Sequence, residues 1–268
     1  MITTKQQRWK KKRSSWAPEH TLFDPKQYEV VVLDERTAKD FIVTHHYSGT
    51  YPAARYRVGL VRGEELVGVA VFSVPCNQKV IARYADLESH MQGVELGRLV
   101  LLDDVAYNAE SWFLARAFKL VKKQLGVRFC LSFSDPIPRY TDSGEIVKPG
   151  HVGQIYQALN ASYYGRASRA TMLLMPDGRV MNPRTLGKIR REEQGMDYAI
   201  GQLVNAGAPE PHGNESGASY VERVSPLFRR LRHPGNLSYG WTFDKHVETK
   251  LPVLPYVRMS DLNPLGLL

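Results

Sequence analysis

Residues 131–165, LSFSDPIPRYTDSGEIVKPGHVGQIYQALNASYYG, decide how the rest of the chain is read. The apolar run at residues 127–131 lies between Gly126 and Asp135-Pro136, which predicts a buried strand stopped by a turn. Asp135 then stands at the carboxyl end of a strand, where open α/β sheets place their chemistry. After a polar insertion, Val152, Ile155, Tyr156, Leu159 and Tyr163 recur at the spacing of one helical face, and Gly165 suits a left-handed cap. The spacing therefore predicts one helix carrying both tyrosines. It leaves open whether Tyr156 and Tyr163 are core residues with tethered hydroxyls or the wall of a pocket beside Asp135.

Working outward, YEVVVL at residues 28–33 predicts a strand, and Asp34 caps a helix whose inner positions are Ala38, Phe41, Ile42 and His45. That helix runs out in His45-His46-Tyr47, an unusual ending. His45 suits a core position, and His46 suits either a catalytic site or the helix carboxyl terminus. Two apolar runs, 55–61 and 65–74, flank a Gly63 turn and predict a hairpin. A strand at 94–102 and a helix at 110–125 follow, the helix with Leu114, Ala117, Phe118 and Val121 inward and Arg116, Lys119, Lys122 and Lys123 outward. Further on, a strand is expected at 169–175, a helix opened by Asn182-Pro183, a basic segment PLFRRLR at 226–232, and a last strand at 237–243.

No linker composition divides the 268 residues, so one domain is expected over 21–250, with a flexible basic tail at 1–20 and a carboxyl-terminal extension at 251–268. The formal net charge is +9, and Lys5, Arg8, Lys10, Lys11, Lys12 and Arg13 supply six of it before the first acidic residue, leaving only about +3 for the rest. The basic signal lives in that tail. Trp9 and Trp16 interleave with it, which suits nucleic-acid phosphate contacts with some stacking, and Arg8, Lys10, Lys11, Lys12 and Arg13 are the expected contacts. A merely solubilising tail is the alternative. Cys76 and Cys130 have no CxxC or histidine partner, so neither a disulfide framework nor a zinc site is expected. No apolar run reaches membrane-spanning length, and a cytoplasmic protein is expected.

The predicted order of strand, helix, hairpin, strand, helix, strand, helix, strand resembles the GNAT acyltransferase superfamily, a mixed central sheet flanked by helices in which the fourth and fifth strands splay apart. The motifs HHYSGTYP (45–52), LGRLVLLDD (96–104), AESWFLARAFK (109–119), SFSDP (132–136), GHVGQIYQALNASYYG (150–165) and PGNLSYGW (234–241) are similar to those of the phage Mom family. The resemblance implies transfer of a carbamoylmethyl group to adenine's exocyclic 6-amino group, which shields phage DNA from host restriction. It implies catalytic roles for His46, Tyr47, Asp135 and Tyr156. On a flipped adenine, Tyr51 and Tyr163 suit aromatic walls and Ser134 a substrate contact, while Asn160 suits either a base edge or a solvated polar position. Residues 137–148 depart from the pattern as an insertion between the aspartate and the helix, so the fold must restore their proximity.

The implied partners are double-stranded DNA and an acyl or glycyl donor. Acetyl-CoA is the donor that the superfamily suggests. Against it, Asp103-Asp104-Val105-Ala106-Tyr107 offers acid and bulk where a pyrophosphate needs bare backbone amides. Adenine's amino lone pair is delocalised into the ring, so its attack needs a base, with His46 and Asp135 as candidates. A paired base must also be flipped out and held between aromatic walls. Two other readings compete: an ordinary GNAT enzyme acylating a protein or small amine, and a non-catalytic DNA-binding module. The missing Gly-rich loop and the basic tail speak against the first, and the His, Tyr and Asp set against the second.

Overall fold

The computed structural model describes residues 7–10, 13–16 and 23–261, except Cys76, Gln78, Tyr107, Pro149 and Asn182. Its described chain divides into two compact units, Met1–Pro136 with His151–Ala167 and Asn236–Leu268, and Ile137–Gly150 with Ser168–Gly235. This differs from the single domain expected over 21–250. The second unit is built from two insertions, and the longer of them, Ser168–Gly235, supplies the apolar residues of a core separate from that of the main sheet. Pro136 and Pro138, Pro149-Gly150 and Pro234-Gly235 stand at three of the four crossings between units, but each is short enough to read as an ordinary turn, so composition alone marks no boundary there.

In the first unit a short strand pair, β1 (Gln7–Lys10) and β2 (Arg13–Trp16), precedes the main sheet. Lys11 and Lys12, and the side chains of Arg8, Lys10 and Arg13, lie outside the described residues. The sheet is made of β3 (Tyr28–Val32), β4 (Ala54–Arg62), β5 (Glu65–Ser73), β6 (Gly93–Leu101), β7 (Phe129–Ser134), β10 (Ser162–Arg166) and β13 (Leu237–Thr242). Across it the order is β10-β13-β7-β6-β5-β4-β3, antiparallel at every pair except β6 with β7. Helices α1 (Glu35–His45), α2 (Lys79–Ala82), α3 (Ala109–Leu125) and α4 (Gln154–Ala158) connect the strands. From β3 to α4 the main elements follow the predicted order, with the short α2 added between β5 and β6.

Asp34 opens α1 as read from the sequence, its carboxylate accepting from the Thr37 amide at 2.9 Å. Ala38 and Ile42 pack that helix on Val69 and Val71, with Val100 beside them. On the other face, Phe113, Leu114, Ala117, Phe118 and Val121 of α3 join Val58, Leu60, Phe72 and Leu96. The two apolar faces of the central strands are therefore covered by α1 on one side and α3 on the other, as the spacing of both helices requires.

The pairing of β6 with β7 is short: Gly93 with Phe129, Val94 with Cys130, Glu95 with Leu131, and no further. Both strands run on, β7 still paired with β13 up to Ser134 and β6 with β5 up to Leu101. The sheet is thus split between its fourth and fifth strands, leaving strand ends and their side chains facing a gap.

One prediction from the opening stretch fails here. The helix ends at Ala158, and Asn160 takes φ 55° in the turn that follows, so Tyr163 lies on β10 and not on Tyr156's helix. Isolated helices this short are marginal, and the second half of the apolar pattern belongs to a strand that pairs with β13. Beyond β13, the Leu254 amide bonds to the Tyr163 carbonyl at 2.8 Å, and the Tyr256 hydroxyl donates to the Ala161 carbonyl at 2.8 Å. The extension thereby covers the edge of β10.

The second unit contains β8 (Arg139–Tyr140), β9 (Ile146–Lys148), β11 (Ala170–Leu174), α5 (Pro183–Arg190), α6 (Met196–Asn205), α7 (Gly217–Val224) and β12 (Arg229–His233). Its core is Met181, Leu186, Ile189, Leu203, Tyr220, Val221, Val224 and Phe228. Any Cβ at Gly217 would collide with the Ile189 carbonyl, so only glycine allows α7 this close to α5.

Candidate active site

The site is built where β6 and β7 part. A register shift in β6 opposes Phe72 to Leu96 but Val71 to Arg98, so Gly97 is an extra, bulged residue. A Cβ on Gly97 would collide with Ser73 Oγ, which is why the bulge falls on glycine. Val94 and Leu96 before the bulge, and Leu99 and Leu101 after it, face the core shared with α3. The bulge therefore turns Glu95 and Arg98, three positions apart, to the opposite face of the sheet, the one on which α1 lies.

The end of α1 delivers the next groups. His46 caps the helix, its amide bonding to the Ile42 carbonyl at 2.9 Å. The Ser48 amide donates to His46 Nδ1 at 3.1 Å, and Ser48 Oγ lies 2.8 Å from the same nitrogen. Because an amide donates there, Nδ1 carries no proton and the neutral ring holds its hydrogen on Nε2. Burial, with the positive charges of Arg98 and His151, pushes the His46 pKa down to about 3. Tyr47, 40% exposed, stacks on it with ring centroids 4.3 Å apart.

Arg98 fastens this loop to the sheet. Its Nε donates to the Thr50 carbonyl at 3.0 Å, Nη2 to Thr50 Oγ1 at 2.8 Å, and Nη1 to the Gly97 carbonyl at 2.6 Å. All three bonds are to uncharged acceptors, so its charge is left to act on the groups around it. Tyr47, Glu95 and Tyr156 all lie within its field. Desolvation pushes the Glu95 carboxyl up to about 7, with Arg98 pulling the other way.

The third side comes from β7 and α4. Ser132 Oγ donates to the Leu96 carbonyl at 2.9 Å across the opening strands, and Tyr156 is hydrogen-bonded to Ser132. Tyr156 is buried, its hydroxyl held well above the usual phenol range by desolvation. Its ring sits 5.4 Å from Tyr239 and edge-on to Trp241 at 5.6 Å. Buried Cys130 is likewise pushed far up, which keeps its thiol protonated and inert.

Asp135 follows β7, half-buried, and its carbonyl accepts from the His151 amide at 3.0 Å. That bond closes the neck of the insertion, so the fold restores the proximity that the widened spacing put in question.

The structure thus brings together His46, Tyr47 and Tyr156, and ties Asp135 to His151. Ser134 is buried beside them, its Oγ without a hydrogen-bond partner among the described residues. It stands 3.2 Å from where a Cβ on Gly153 would lie. The other expected substrate contacts are placed differently. Tyr51 packs with Phe41 against the inner face of α1, Tyr163 stacks on Tyr239 at 5.2 Å, and Asn160 is an exposed turn residue. The residue reading missed Glu95, Arg98, Ser132 and His151. Three of these fall inside the motifs LGRLVLLDD, SFSDP and GHVGQIYQALNASYYG, so the signal was in hand.

The turn after β6 does not fit a pyrophosphate. Asp104 is held by Arg62 at 2.6 Å, Asp103 and Glu110 add further acid, and Asn108 occupies the cap position of α3 at φ 70° with no side-chain bond to the helix.

A model of the Mom protein family matches residues 27–212. The chain belongs to the Mom family. One relative, the methylcarbamoylase Mom of Escherichia phage Mu, is 28% identical over 175 residues, covering 64% of this chain and 67% of its own. Solved structures with a partly similar outline include an acetyltransferase of Bacillus subtilis in complex with CoA, 9% identical, covering 80% of this chain and 98% of that one at a TM-score of 0.34. Another is a GNAT family acetyltransferase of Elizabethkingia anophelis with acetyl-CoA bound, 8% identical over 81% and 98% of the two chains at 0.33. None of these structures is close enough to carry a ligand or a residue role across to this Mom family member.

Gly153 is expected to be irreplaceable at this site. It sits at φ 73°, and a Cβ there would come within 2.7 Å of the Tyr156 ring and 3.0 Å of Tyr239. Gly153→Ala should cost about 1–3 kcal/mol, from the positive φ and the displaced rings together, and lower the melting temperature accordingly. An unchanged thermal melt would show that the Tyr156 ring is not fixed as described.

Proposed function

We propose that this protein is a phage DNA-modification enzyme that transfers a carbamoylmethyl-type group to the exocyclic amino group of adenine. What supports this reading most is membership of the Mom family over residues 27–212, with Glu95, Arg98, His46 and Tyr156 gathered at the gap between β6 and β7. In this reading the adenine amino nitrogen attacks the electrophilic carbon of the donor. The new N–C bond forms as the donor's leaving group departs with the bonding pair, and one N–H proton passes to Glu95. A carboxylate with a pKa near 7 is suited to that work, since it is ionised at working pH and basic enough to accept a proton. Arg98 faces the negative charge that develops in the transition state. His46, neutral, donates through Nε2, and Tyr47 offers an exposed ring on which a flipped base can stack. No step depends on coenzyme A.

Nucleosides from a plasmid propagated with this protein should contain an adenosine species heavier by one carbamoylmethyl substituent, read by mass spectrometry. Unmodified DNA nucleosides, with acylation of a protein or small amine instead, would replace this reading with that of an ordinary acyltransferase.

A further inference from the structure

In the second unit, β11 and β12 form a free two-stranded ribbon with Thr171 opposite Arg232, Met172 opposite Leu231 and Leu173 opposite Arg230. Side chains alternate between its faces, so Arg169, Thr171, Arg230 and Arg232 share one face. All four are exposed, and Leu173 is the one position of that face that packs inward, onto the core of its unit. Most arginines nearby in sequence are neutralised: Arg223 by Glu215, Arg191 by Glu193, Arg179 by Asp177, Arg229 by Asp142. Arg169, Arg230 and Arg232 have no carboxylate partner among the described residues. The positions across from them are Thr171 and Leu173 rather than acids. Like charges crowded on one sheet face cost stability, so the arrangement has no folding rationale.

It does have a recognition rationale. Guanidinium forks pair with phosphate oxygens in bidentate fashion, successive positions on one strand face lie about 6.8 Å apart, and a two-stranded ribbon is of a width that the major groove of duplex DNA admits. We propose that the Arg169, Arg230 and Arg232 face of the β11–β12 ribbon docks on the phosphate backbone of duplex DNA. This rests on the DNA reading given above and adds to it the surface that holds the duplex.

The test is fluorescence polarisation of a labelled duplex oligonucleotide, titrated at several salt concentrations. Four proteins are compared: the unaltered chain; the triple variant Arg169→Gln, Arg230→Gln, Arg232→Gln; the same three positions changed to lysine; and a charge-matched control, Lys39→Gln, Lys119→Gln, Lys123→Gln. Each phosphate contact adds about 0.9 to the slope of log affinity against log salt, so the glutamine triple should lower that slope by about 2–3. The lysine triple should restore it, and the control should change it by less than half as much. An unchanged slope in the glutamine triple, or an equal fall in the control, overturns the ribbon assignment and leaves the DNA reading standing. Absence of salt-dependent duplex binding by the unaltered chain removes both.

Discussion

Glu95→Gln is expected to stop the reaction while making the protein more stable at pH 8. The substitution keeps the side chain's volume and removes its ability to take a proton, so the rate should fall by about 10²–10⁴. The stability change has the opposite sign. Burial raises the folded-state pKa to about 7 from the ordinary carboxyl value of 4.5, so the folded state holds its proton more tightly than the unfolded one. That contribution is fully present below pH 4.5 and is lost as pH rises through 7. Above pH 7 the folded protein carries a desolvated carboxylate costing about 1–3 kcal/mol, after allowance for partial solvation. Glutamine has no such charge. Its melting temperature should therefore exceed that of the unaltered protein at pH 8, with the advantage shrinking towards pH 4.5. The unaltered enzyme's rate should rise with pH through a midpoint near 7 and level off above it, and that limb should vanish from whatever activity the variant retains. A variant that melts lower at pH 8 and keeps the limb would place Glu95 in the scaffold and the base elsewhere.

Glu95 also shows why half of the site escaped the residue reading. Strict alternation along 93–101 puts Glu95 on one sheet face and Arg98 on the other, since they are an odd number of residues apart. Only the bulge at Gly97 brings them to one face, and a lone glycine in a strand pattern signals a bulge without fixing its register. The larger elements were legible because their evidence is local: Asp34 caps α1, a 3.6-residue pattern drives α3, and a Gly63 turn joins β4 to β5. The shortened α4 was not. Ile155 and Tyr156 face the core from a helix, Val152 from just before it and Tyr163 from a strand, and together these positions happen to share one helical spacing. The second unit was hidden for a different reason. Its insertions begin and end mostly at Pro and Gly turns of the kind that also join elements within one domain, and the hydrogen bond between Asp135 and His151 that seals one of them joins residues sixteen apart.

His46 separates two jobs that a histidine at a helix end can do, because its two nitrogens point to different substitutes. Nδ1 accepts from the Ser48 amide and so holds the turn that leads to Tyr47, while Nε2 carries the proton and is the nitrogen able to donate to substrate. An asparagine amide oxygen falls near the position of Nδ1 and a glutamine amide near that of Nε2. His46→Asn should then keep the turn and the melting temperature but lose about 10²–10³ in rate, the size of effect seen when one transition-state donor is removed. His46→Gln should lose about 1 kcal/mol of stability with the turn bond, yet retain most of the rate. Neither should move the pH limb near 7, because burial keeps His46 neutral down to about 3. The reverse ranking, with His46→Asn active and His46→Gln inert, would make His46 a holder of the loop. A limb that shifts in either variant would make His46 the titrating base after all and withdraw that role from Glu95.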